Sequence, residues 1–164
     1  MKVKITLKEL TTEVIIAAIY VILVFTFYFL SFEAIQFRIA EILLILVFYH
    51  KRHLLGLLIG TFIANYLGVF GIIDALFGTL ATLITLGLLI VLKRQWLIAL
   101  LIIPPLINGL VISFEISLIY SIWNEYFINF ILVFLGEFLV MLLFAVPVKY
   151  FIDKSPYLLE LLKN

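Results

Sequence analysis

Ile35-Gln36-Phe37-Arg38-Ile39-Ala40-Glu41 sets an amide, a guanidinium and a carboxylate at the mouth of an apolar run that continues to Tyr49. At helical spacing Arg38 and Glu41, three positions apart, share one face. The run itself is short. About 11 residues at ~1.5 Å each cannot cross ~30 Å of hydrocarbon. It must either extend back through Gln36–Arg38 or sit in a locally thin region shielded by other helices. The chain around it is nearly all oil. Of 164 residues, 66% are hydrophobic and 13% charged, and the mean hydropathy is +1.34. That composition is a membrane domain's and not a soluble domain's. The length suits a single domain over residues 1–164. A net charge of +1 offers no basic surface for nucleic acid, and the absence of cysteine excludes disulfides, thiolate metal sites and a cysteine nucleophile.

Working outward, the hydropathy pattern predicts an all-α integral membrane protein with six transmembrane helices. The expected spans are Glu13–Leu30, Ile39–Tyr49, Leu54–Leu67, Ile72–Leu92, Trp96–Ile122 and Tyr126–Phe151. Lys2–Thr12 reads as a short basic amphipathic start and Leu158–Lys163 as an interfacial turn. The first span is too long for a signal-peptide core and no small-residue cleavage site follows it, so it reads as retained. Pro104-Pro105 should bend the fifth span. With six spans, ten of the eleven basic residues fall on one side and only Arg38 on the other. The positive-inside rule then makes both termini cytoplasmic.

This orientation sorts the polar residues by depth. Glu33, Gln36, Arg38, Glu41, Asn65 and Asp74 lie toward the outer side. Asn108 is roughly 18 Å deep from the inside and Glu137 roughly 16 Å down from the outside, with Glu115 two turns outward of Asn108. Polar groups of spans two to six thus collect in the outer half, while the inner half is apolar apart from its loops. That asymmetry predicts a cavity open to the outside and not a continuous conduction path. Structural readings stand beside the functional ones. Arg38 with Glu41 can be a plain interfacial ion pair, and Asp74 can cap a helix start. Gly56 and Gly60 suit a helix-packing face, and Asn65 and Asn108 suit interhelical hydrogen bonds. His50 and His53 flank Lys51-Arg52 in a loop, which favours headgroup contact over a metal. Glu137 is the hardest to assign to structure alone, because no basic residue shares its depth.

These stretches resemble the QueT family. The likeness rests on Gln36-Phe37-Arg38 with Glu41, on Gly56-Leu57-Leu58-Ile59-Gly60 with Ala64-Asn65, and on Asp74-Ala75-Leu76-Phe77-Gly78-Thr79-Leu80-Ala81-Thr82. Asn108 and Gly136-Glu137 also fit its pattern, and the resemblance covers about Ala17 to Pro147. The family consists of substrate-binding S components of energy-coupling factor (ECF) transporters, taken to import queuosine precursors. The resemblance implies an S-component-like bundle of six helices in the plasma membrane of a prokaryote. It implies an outer pocket gated by the loops Ser31–Ile35 and Gly68–Ile72. The implied partners are a membrane coupling (T) subunit and two cytoplasmic ATPase subunits. The chain has no G-x-x-x-x-G-K-[ST] loop of its own, so it is not expected to be the enzyme that hydrolyses ATP. No cofactor or metal is implied.

The implied cargo is a 7-deazaguanine, in aminomethyl, cyano or queuine-like form. The implied substrate-binding residues are Gln36, Phe37, Arg38, Glu41, Asn65, Asp74, Asn108 and Glu137. A guanine-like edge offers adjacent N–H donors that Glu41 or Glu137 can accept, and its carbonyl suits Asn108, Asn65, Gln36 or Arg38. An aminomethyl cation would suit Asp74 or Glu115, and Phe37 or Tyr66 can stack on the base. One feature departs from the family: small residues four apart on the first helix are missing, since Ala17 and Ala18 are followed four positions later by Val21 and Ile22. Other readings are an S component for another nutrient or vitamin, or a solitary proton-coupled carrier using Glu137.

Overall fold

The structure, a computed structural model, describes residues 6–32 and 36–163. Lys2, Lys4, Glu33 and residues 33–35 of the expected outer loop lie outside the described residues. Every regular element among the described residues is helical.

The first helix, α1 (Leu7–Thr26), starts ahead of the expected Glu13. The cause is a capping box: the Thr6 hydroxyl accepts from Glu9 N–H at 3.3 Å and the Glu9 carboxylate accepts from Thr6 N–H at 2.6 Å. Residues 7–12 are therefore the first turns of the span and not a separate amphipathic start. A break at Phe27 separates α1 from the short α2 (Tyr28–Phe32).

The decisive element is the short run. Ile39–Phe48 forms a 3-10 helix of 10 residues, while Gln36–Arg38 stays non-helical. Runs of this kind seldom exceed 3–4 residues, but the ~2.0 Å rise carries ten residues across ~20 Å, against ~15 Å in α form. None of its side chains is exposed, and Ala40, Glu41 and Leu44–Phe48 are buried. Of the two expectations for this segment, shielding by other helices is the one that holds.

The shield is a succession of packed neighbours: α1 on α3 (His53–Tyr66), α3 on α4 (Ile72–Val91), α4 on α5 (Trp96–Tyr120), and α5 on α6 (Tyr126–Val140). The central helix touches α1, α3, α4 and α6. Gly56 and Gly60 do form a packing face: a Cβ on Gly56 would lie 2.6 Å from the Glu13 carbonyl oxygen, and one on Gly60 2.8 Å from Tyr20 Cβ. Backbones approach this closely only where side chains are absent. α5 runs on through Pro104 and Pro105, both buried. α6 passes through a π-helical turn, Met141–Ala145, into α7 (Val146–Lys154), and α8 (Pro156–Lys163) replaces the expected interfacial turn.

Four helical stretches, Leu7–Thr26, Ile72–Val91, Lys93–Tyr120 and Trp123–Lys154, are long and apolar enough to cross a membrane, and Ile39–Phe48 and His53–Tyr66 are shorter apolar helices. The outward faces of the long helices carry exposed Ile, Leu and Phe, as lipid contact requires.

The bundle has two chemically different ends. At one, α1 begins, α8 ends, and the described basic residues other than Arg38 gather. Arg52 pairs with Glu9 there, and Lys149 Nζ lies 2.7 Å from Asp153 and 4.4 Å from the Trp96 ring. His50 Nδ1 accepts from Arg52 N–H at 3.1 Å; burial, then the Arg52 charge, hold its imidazole below the usual range. The expected loop exposure of His53 is corrected: it is buried, with Nδ1 2.9 Å from Glu13 Oε1 and Nε2 3.0 Å from the Leu162 carbonyl. The inner half, expected to be apolar apart from its loops, also holds buried Glu13 and Lys149. The opposite end holds residues 36–41.

Candidate functional site

The site is built where the central helix begins. Phe37 N–H donates to the Leu30 carbonyl at 2.8 Å, and Glu41 N–H to the Arg38 carbonyl at 2.9 Å. These bonds turn the chain from α2 into the 3-10 helix and aim Arg38 and Glu41 inward. Gly136 on α6 admits the turn, since a Cβ there would lie 2.6 Å from the Gln36 carbonyl oxygen. The next residue, Glu137, is thereby brought beside the same segment.

Four side chains meet. Arg38 Nε sits 2.7 Å from Glu41 Oε1. The Asn108 amide nitrogen lies 3.0 Å from Glu41 Oε2 and 2.8 Å from each oxygen of Glu137. Glu41, Asn108 and Glu137 have no exposed surface. An amide carries two protons, so three carboxylate oxygens exceed what it can satisfy. The Asn108 carbonyl oxygen has no hydrogen-bond partner. Two carboxyl groups face one guanidinium, so with both ionised the buried cluster would carry one excess negative charge. Such a charge is costly unless a proton, a cation or strong donors meet it.

Beside this cluster is a void of ≈ 10 Å³, room for about one water. Tyr20, Val24, Ser31, Arg38, Ala40 and Asn65 line it. Asn65 reaches inward because α4 presents a glycine: a Cβ on Gly78 would lie 2.0 Å from the Asn65 amide nitrogen. A second acidic pair lies apart. Asp74 accepts from Phe70 N–H at 2.9 Å, so the helix-start reading of this carboxylate holds, and buried Glu115 of α5 lies against it. Gly71, with φ of 60°, gives the left-handed turn that leads into α4. No group of three or more metal-ligating side chains occurs among the described residues.

A family model described as the QueT transporter matches residues 10–154. The chain belongs to the QueT transporter family. The Queuosine precursor transporter QueT of Lactococcus lactis subsp. cremoris (strain MG1363) is 38% identical over 82 residues, 49% of this chain and 48% of that protein. The match thus spans about half the length of that curated relative. No solved structure matches the chain. All eight residues that the QueT resemblance singled out lie inside the family match.

Of those eight, Arg38, Glu41, Asn108 and Glu137 form the cluster, and Asn65 lines the void beside Arg38. Gln36 contributes its backbone against Gly136. Phe37 packs its ring against the hydrophobic core, and Asp74 belongs to the separate pair with Glu115. Tyr66 is exposed and stacks on Phe62 at 6.3 Å, away from the cluster. Sequence reasoning missed Tyr20 of α1. A tyrosine in the middle of an apolar span needs a partner for its hydroxyl, and that was the available signal.

Proposed function

We propose that this chain is the membrane-embedded substrate-binding subunit of an ECF-type importer. It captures a queuosine precursor, a 7-deazaguanine, from outside the cell, and separate subunits supply ATP hydrolysis. The observation that carries the reading is the buried Glu41–Asn108–Glu137 bridge, tied to Arg38. Its acceptors exceed its donors, and a guanine-type edge brings adjacent N–H groups to meet them. Membership of the QueT transporter family and the name of the relative support the cargo.

In this reading residues 1–164 are a single domain with six crossings in a prokaryotic plasma membrane, and both termini are cytoplasmic. Two features support it. The basic residues segregate to the end where α1 begins and α8 ends, as the positive-inside rule expects of a cytoplasmic face. The 3-10 geometry lets a ten-residue segment cover more depth than an α-helix would. A membrane coupling subunit and two ATPase subunits complete the importer.

The test is direct binding to purified protein. Calorimetry with cyano and aminomethyl 7-deazaguanines should give saturable binding, weakened at least about 100-fold in the Glu41→Gln/Glu137→Gln double variant. Equal binding by wild type and variant sinks the assignment. A second reading, a solitary proton-coupled carrier, draws on the same excess charge, which one proton would cancel. Uptake that survives without ATPase partners but collapses with the proton gradient would favour it.

A further inference from the structure

The cluster of acids accounts for one chemical half of the site; the void beside it is lined by the other. We propose that this void is a second subsite of the same binding site. It takes a hydrogen-bond-accepting oxygen of the ligand, and the Tyr20 hydroxyl is the residue that reads that oxygen. The proposal rests on the reading of the Glu41–Asn108–Glu137 bridge as a ligand site.

Three observations converge on it. First, Tyr20 has no exposed surface, and its hydroxyl lies against Arg38 and Thr61 without a hydrogen bond of good geometry to either. A buried hydroxyl without such a bond is costly and is retained only for a reason. Second, the Asn65 amide nitrogen, also buried, has no hydrogen-bond partner. Third, both residues line the same void, and Arg38 completes the wall with a side chain that can only donate.

The fold holds this wall by backbone contact. Gly60 of α3 touches Tyr20 Cβ and the Ala17 backbone, so α1 approaches closely and the Tyr20 ring is driven inward. Gly78 of α4 makes room for Asn65 in the same way. Glycines on two helices thus place two donors around a third, Arg38.

The ligand chemistry follows from adjacency. Glu41 Oε1 lies 2.7 Å from Arg38 Nε, and Arg38 also lines the void. A ligand with a ring N–H next to a ring carbonyl presents the complementary pair. The N–H meets Glu41, and the carbonyl oxygen falls on the side of Arg38, Tyr20 and Asn65. The void, about the size of one water, matches a single oxygen atom and not a bulky substituent. The ligand class is therefore a lactam-type heterocycle whose donor edge and carbonyl are contiguous.

Tyr20→Phe tests this with little disturbance of packing. Calorimetry compares 7-deazaguanine with its analogue lacking the 6-oxo group, on wild-type and variant protein. The expected result is a loss of about tenfold for the oxo ligand and none for the analogue, since the variant removes a bond only the oxo ligand makes. Equal weakening of both ligands means that Tyr20 acts by holding Arg38, and overturns the proposal; so does unchanged binding of both. Thermal unfolding of ligand-free protein gives an arm that needs no ligand. The variant should melt at the wild-type temperature or above it, because the hydroxyl it removes makes no hydrogen bond of good geometry in the ligand-free protein. A drop of several degrees would make the hydroxyl structural and overturn the proposal. If wild type binds neither ligand, the deazaguanine reading falls, and the melting result alone decides the role of Tyr20.

Discussion

Buried charge occurs at both ends of this bundle, and the two ends treat it differently. At the basic end every described partner is provided for. Glu13 accepts from Gly56 N–H at 3.1 Å and faces His53, whose second nitrogen faces a carbonyl. Lys149 has Asp153 and a wall of aromatic rings, and Tyr49 donates to the same Asp153 at 2.8 Å. At the other end Asn108, Asn65 and Glu115 each have a buried polar atom with no hydrogen-bond partner, and the Tyr20 hydroxyl has none of good geometry. A satisfied network rigidifies a fold, whereas a network with open valences carries a cost that only a further partner removes. The first end therefore reads as structure and the second as a site.

The sharpest way to break that contrast is to remove a residue from the satisfied end. Glu13→Ala leaves His53 Nδ1 and the Gly56 N–H unpaired, and should lower stability by about 3–5 kcal/mol. Ligand affinity per folded molecule should stay at the wild-type value. Chemical denaturation in detergent, paired with calorimetry on the folded fraction, checks both. Next in size is the Glu41→Gln/Glu137→Gln variant, where the signs reverse. Affinity should fall by at least about 100-fold, or ~2.7 kcal/mol, while the melting temperature holds or rises. A variant that binds normally but unfolds would make the bridge structural. Arg38→Lys keeps the charge but loses the planar fork, and should cost about tenfold in affinity. Wild-type affinity would mean that Arg38 only balances Glu41. The smallest effect belongs to Lys149→Met. Asp153 keeps its bond from Tyr49, so the loss should be at most ~1 kcal/mol of stability, with no change in binding.

The central helix shows how much was legible in the chain. Its length ruled out an unaided α-helical crossing and left extension through Gln36–Arg38 or shielding by other helices as the alternatives. Its 3-10 geometry was not legible, because the rise per residue is set by the depth its neighbours leave for it. The capping residues Thr6 and Glu9 were readable in principle, yet the apolar period dominated and moved the expected start to Glu13. His53 was misplaced for a related reason. A histidine directly after Lys51-Arg52 reads as a loop residue until a carboxylate from α1 and a carbonyl from α8 are found on either side of it. Tyr20 escaped because one hydroxyl hardly changes the hydropathy of a 20-residue helix.

The sequence by itself determined that this is a helical membrane protein, and its hydropathy set Arg38 apart from the other basic residues. Hydropathy and charge are local properties, and a bilayer reads them locally. Only the tertiary structure decided which polar residues form one group. Glu41, Asn108 and Glu137 are 67 and 29 positions apart along the chain, and what joins them is close backbone approach at Gly136. The same approach at Gly60 and Gly78 turned Tyr20 and Asn65 inward. Contact between helices depends on where side chains are missing, and the function of a missing side chain appears only once its neighbour is known.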